Sequence, residues 1–130
     1  MFNKIIYNPD FFKKQTLNSY KSAEVIVPLL INYFEPKSVI DVGCGLGTWL
    51  KVFIDHRITD VLGIDGEYVD IDKLFISKEK FITADLTSKL NIMNCAVMEI
   101  IIISPEFNVT LRKYLIGCSP ICVHVSLITK

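Results

Sequence analysis

Asp41 stands two residues before Gly43, and Gly45 and Gly47 follow at every second position, in "VIDVGCGLGTWL" (39 to 50). Glycine lets a backbone turn left-handed and lets a ligand lie in contact with it. A helix starting just beyond the turn favours an anionic group at its N-terminus. The same glycines would also suit a strand-to-helix turn that is merely packed closely. Two more acids bear on the choice. Asp65, followed by Gly66, closes the apolar run "DVLGID", and Asp85, followed by Leu86, stands near the end of "KFITADL". Singly, each acid fits a helix cap or a loop. Together, three acids at the ends of three strands line one edge, where open α/β sheets hold ligands.

The spacing excludes two phosphate ligands. The dinucleotide fingerprint G-x-G-x-x-G needs its third glycine at position 48, which is Thr48. No G-x-x-x-x-G-K-[ST] loop occurs either.

Other elements must position these residues. "SYKSAEVIVPLLINYF" (19 to 34) reads as a helix with Val25, Ile26, Leu29, Leu30 and Tyr33 on its apolar face. Ser19 or Ser22 would cap it, and Pro28 should kink it. "SVIDV" reads as a strand buried on both faces, and "TWLKVFIDH" as a helix packed through Trp49, Leu50 and Phe53. "DVLGID" and "KFITADL" read as further strands, joined by the polar-apolar connector "EYVDIDKLFISKEK" with room for one short helix. Strand, helix, strand, connector, strand predicts a parallel α/β sheet. Core and capping roles suit Tyr20 and Ser22 better than ligand contact.

The alternating glycines with an acid two residues ahead resemble motif I of the class I S-adenosylmethionine-dependent methyltransferases, over roughly residues 19 to 90. The resemblance implies a partial Rossmann-like fold and S-adenosyl-L-methionine as cofactor. It gives Asp41 to the methionine ammonium, Asp65 to both ribose hydroxyls and Asp85 to the adenine amine. Gly43, Cys44, Gly45, Gly47, Gly66 and Leu86 complete the implied cofactor site, with Cys44 a variable motif position that packs rather than reacts. Such a ligand needs no lysine or arginine clamp, because it carries no phosphate. An acid at a strand's end is expected to be open to solvent before the ligand arrives.

The resemblance stops near Asn94. Residues 1–94 hold every Asp and 12 of the 14 acids, whereas residues 95–130 hold only Glu99 and Glu106 yet three of the four cysteines. The division predicts a cofactor-binding part over 1–94 and an atypical apolar tail over 95–130, with a truncated or out-of-frame C-terminus. "AVMEIIIIS" offers a replacement fourth strand, but the acid and loop expected after it are missing. The acceptor pocket, the methyl acceptor and any catalytic base are therefore not legible, and no catalytic residue is assigned. The contrasting function is an inactive methyltransferase remnant or interaction protein that retains weak cofactor binding.

Composition narrows the partners. Fourteen basic residues balance fourteen acidic ones, which removes the simplest argument for a nucleic-acid surface. No stretch reaches the roughly 20 apolar residues of a spanning helix, and the N-terminus lacks the pattern of a signal peptide. A cytoplasmic protein without a membrane partner is the expectation. An incomplete sheet would leave an unpaired edge open to self-association. Cys118 and Cys122 lack a second ligand pair, so free thiols and no metal are expected.

Overall fold

A computed structural model of the chain describes residues 9–86, 100–103 and 123–126. The first helix, α1 (Pro9–Phe34), starts well before Ser19, so Ser19 lies inside the helix and caps nothing. Its hydroxyl instead accepts the indole N–H of Trp49 at 3.0 Å. Ser22 is also internal to α1 and exposed.

The buried face of α1 differs from the expected one. Ala23 and Val27 are fully buried, with Tyr20, Ile26, Leu30 and Ile31 partly buried against the same core, while Val25, Leu29 and Tyr33 face solvent. Apolar residues lie on two sides of this helix, so hydrophobicity alone cannot choose between them. The side carrying Ser19 and Ala23 wins, because alanine permits close approach and Ser19 satisfies the buried indole. Helix α1 runs through Pro28 without interruption. The carbonyl that loses its donor belongs to Glu24, an exposed residue where water can replace the bond.

Strand β1 (Ser38–Val42) is buried throughout, as a strand covered on both faces should be. It leads through the glycine turn into helix α2 (Thr48–Asp55) and then to β2 (Asp60–Asp65). The connector holds two single 3₁₀ turns, Ile71–Lys73 and Lys78–Lys80, before the short β3 (Phe81–Thr83). Strands β4 (Ile100–Ile103) and β5 (Val123–Ser126) complete a five-stranded sheet in the order β3-β2-β1-β4-β5, with every neighbouring pair parallel. Ile100–Ile103 is the replacement strand that "AVMEIIIIS" offered, and Val123–Ser126 adds a strand that the tail did not announce. The rest of residues 87–130, including the proposed division at Asn94, Cys95, Cys118 and Cys122, lies outside the described residues.

Phe53, Leu50, Val27 and Val39 are fully buried in the core where α1 and α2 meet the sheet, and Ile40 and Val42, at the alternate positions of β1, are fully buried as well. Among the described residues no helix is long and apolar enough to cross a membrane.

The Trp49–Ser19 bond ties α1 to α2, and its loss should be measurable. Trp49→Phe and Ser19→Ala should each cost about 1 kcal/mol. In urea unfolding the double variant should cost clearly less than their sum, since both remove one bond. Full additivity would show that the two side chains do not share it.

Candidate functional site

The strand order reverses beside β1: the chain leaves it for β2 on one side and returns as β4 on the other. In an open parallel sheet, a crevice forms at the carboxyl end of such a switch point. The glycine turn lies there.

Gly43, Gly45 and Gly47 all have positive φ, at 82°, 56° and 79°. The alternation in the sequence is therefore an alternation of left-handed residues, which fold the loop back across the end of β2. The N–H groups of Gly43 and Cys44 both donate to the Ile64 carbonyl, at 2.7 and 3.3 Å. The Gly45 N–H donates to Asp65 Oδ2 at 2.7 Å. On the far side, the Phe75 N–H donates to the Leu46 carbonyl at 2.9 Å. Gly47 then caps α2 with no side-chain hydrogen bond to its first turn.

Packing beneath this loop is tight. A Cβ on Gly63 would lie 2.7 Å from Cys44 Sγ, and one on Gly47 would lie 3.0 Å from Ile76. At Gly45 none of the described residues lies within 4 Å of that position. A loop packed only for its own sake would be filled on both sides.

Asp65, the last residue of β2, is only 3% exposed. This corrects the expectation of a carboxylate open to solvent. The glycine loop covers it, and its Oδ1 accepts the Gly66 N–H at 2.8 Å and the Tyr68 hydroxyl. Asp41 is also buried, one residue before the end of β1 and opposite Gly63 of β2 and Ile102 of β4. Asp85 is exposed and lies two residues past the end of β3, which is shorter than expected. The Ala84 N–H still bonds the Asp65 carbonyl at 2.9 Å, which keeps this segment beside β2. Leu86 is buried. The structure thus brings Asp41, Gly43, Cys44, Gly45, Gly47, Asp65 and Gly66 together, with Asp85 at the rim.

Two contributors were not evident beforehand. Tyr68 reaches Asp65, and Ile76 packs on Gly47 and Gly63. Gly66 was the available signal for the first: a Cβ there would lie 2.4 Å from the Tyr68 ring, so only glycine lets this ring fold back. His56 is exposed, and the described residues contain no metal-holding group of three His, Cys, Asp or Glu.

No protein-family model matches the chain, and no curated protein matches it. Solved structures do. The plantazolicin methyltransferase BpumL in complex with SAH superposes with a TM-score of 0.58 at 24% identity, over 87% of this chain and 50% of that one. BpumL with a pentazolic desmethylPZN analog and SAH gives 0.54 at 24% identity, over 92% and 54%. The methyltransferase domain of bacterial CtHen1 gives 0.51 at 15% identity, over 67% and 50%. The chain has the Rossmann-like methyltransferase fold and spans about half the length of these structures.

The two buried acids create an electrostatic problem. Burial, and secondarily the Asp65 carboxylate, pushes Asp41 from the ordinary 3.8 to about 7. Burial also pushes the Cys44 thiol far up, and both carboxylates add to it, so Cys44 is a packing group and a poor nucleophile. A raised carboxyl stabilises the fold while it stays protonated. As pH rises, the unfolded chain ionises first, near 3.8, so stability falls until about 7 and is then constant. Asp41→Asn should therefore match the parent near pH 4 and exceed it at pH 8, by roughly 2–4 kcal/mol. Urea unfolding at both values measures this, and an equal or lower stability of the variant at pH 8 would contradict it.

Proposed function

We propose that this chain is the cofactor-binding part of an S-adenosylmethionine-dependent methyltransferase. One observation carries the reading: the acid ending β2 and the glycine loop after β1 form a single hydrogen-bonded unit, Asp65 on Gly45, at the switch point of the sheet. The loop's packing supports it: it is filled beneath, and among the described residues nothing comes within 4 Å of Gly45 above. The fold shared with BpumL, whose structure holds SAH, supports it as well.

The donor set fits the ligand. S-adenosylmethionine presents an ammonium, a carboxylate, a ribose diol and an adenine amine, and no phosphate. Asp41 would face the ammonium, and the uncapped first turn of α2 would favour the carboxylate. Asp65 would accept the ribose hydroxyls, with the Gly45 and Gly66 N–H groups fixing its oxygens. Asp85 at the rim would take the adenine amine, with Leu86 beside it. Gly43, Cys44 and Gly47 shape the loop that the methionine arm lies on. When bound, the cofactor supplies an electrophilic methyl group on a sulfonium; the residues named here bind and orient it. The methyl acceptor belongs to the whole enzyme, and self-association through an edge strand remains a proposal beside this one.

Calorimetry tests the reading. S-adenosylhomocysteine should bind and NAD should not, because the third glycine sits where a pyrophosphate fingerprint lacks it. Asp65→Asn should weaken binding by about 1.5–3 kcal/mol, a loss of one to two decades. Asp65→Ala should also destabilise the fold, since it strips partners from two loop N–H groups. NAD binding more tightly than S-adenosylhomocysteine would overturn the assignment.

Binding should also move a proton. At pH 6 the Asp41 carboxyl is mostly protonated, and an ammonium beside it favours the ionised form. Complex formation should release close to one proton at pH 6 and almost none at pH 8.5. Heats measured in buffers of different ionisation enthalpy give that number. Zero release or proton uptake at pH 6 would remove Asp41 from the ammonium site.

A further inference from the structure

Asp65 is a buried carboxylate with its partners unevenly shared. Oδ2 accepts one donor, the Gly45 N–H, whereas Oδ1 accepts two, the Gly66 N–H and the Tyr68 hydroxyl. A carboxylate oxygen has two lone-pair sites, so, counting the donors among the described residues, Oδ1 is full and Oδ2 has one place left. A vicinal diol that spans a carboxylate gives one hydroxyl to each oxygen. Without displacement, Asp65 can take only half of that pair.

The three donors differ in freedom. Gly45 and Gly66 are held by the backbone of the loop and of the β2 exit. Tyr68 is a side chain 54% exposed, whose ring folds back over Gly66 from two residues downstream. Of the groups on Oδ1, the phenol is the one that can leave.

We propose that Tyr68 is an internal competitor for Asp65: its hydroxyl occupies the oxygen that a ribose diol requires, and the nucleoside must displace it to bind. The proposal rests on the reading of Asp65 as the ribose ligand and adds a residue that this reading did not contain. Its physical logic is that a buried carboxylate with too few partners is costly. Tyr68 supplies the missing donor while the site is empty, and the diol supplies two when it is filled. The ligand therefore binds only the fraction of molecules in which the phenol has turned away, and apparent affinity falls by that fraction.

Tyr68→Phe is the test, because it keeps the ring and removes only the hydroxyl. Calorimetry on the full chain would compare S-adenosylhomocysteine with its 2′,3′-dideoxy analogue. If the open fraction is about one in ten, the variant should bind S-adenosylhomocysteine about tenfold more tightly. The dideoxy analogue has no hydroxyls to place on Asp65, so its affinity should be unchanged. Equal or weaker binding of S-adenosylhomocysteine by the variant, with measurable binding by the parent, would overturn the proposal and leave the cofactor reading standing. An equal gain for both ligands would overturn it too, since the ring's freedom and not the diol would then be responsible. No binding of S-adenosylhomocysteine by either protein would overturn the cofactor reading, and with it the competitor.

Discussion

The contact between the Gly45 N–H and the Asp65 carboxylate joins the two halves of the site. One partner belongs to the turn after β1 and the other to the end of β2, so neither strand alone could shape the crevice. Two N–H groups on the Ile64 carbonyl reinforce the join, and the Leu46 carbonyl ties the same loop to the connector through Phe75. A loop fixed on both sides holds its shape at Gly45, where none of the described residues fills the space beside it. Such preorganisation matters because binding then loses little to ordering the chain.

That join has an electrostatic cost. Covering Asp65 with the loop buries it close to Asp41, and both carboxylates act on Cys44. Like charges in a shared low-dielectric space cannot all be ionised cheaply. Asp65 is the acid that accepts three hydrogen-bond donors. Asp41 keeps its proton longer. On the function proposed above, an ammonium would suit such a site, where a phosphate would be repelled. The proposed preference for an unphosphorylated ligand thus has two sources, glycine spacing and charge.

Much of this was legible in the residues. Alternating glycines correspond to alternating left-handed turns, and the strands closing on Asp41 and Asp65 lie where their apolar runs place them. The errors have physical causes. Helix α1 carries apolar residues on two sides, and the choice between them depended on one indole needing Ser19 as acceptor. Asp65 looked solvent-accessible because a strand end usually is; only the tertiary fold of the loop over β2 buries it. Tyr68 was passed over because its partner is a carboxylate three residues away, reached by a turn that Gly66 permits and no periodicity announces.

The region after Asn94 teaches a related lesson about parallel sheets. It shows no polar-apolar alternation, and the strand that "AVMEIIIIS" offered is there: "IIII" at Ile100–Ile103 pairs with β1 from Val39 to Val42. Alternation is a property of strands with one wet face. A central parallel strand has none, and an uninterrupted β-branched run is what its position demands. Placing β4 there also makes β1 an interior strand, which is what buries Asp41 between Gly63 and Ile102. The least legible part of the chain thus lies directly beside the most legible residue: β4 places Ile102 next to Asp41, the acid whose burial raises it to about 7.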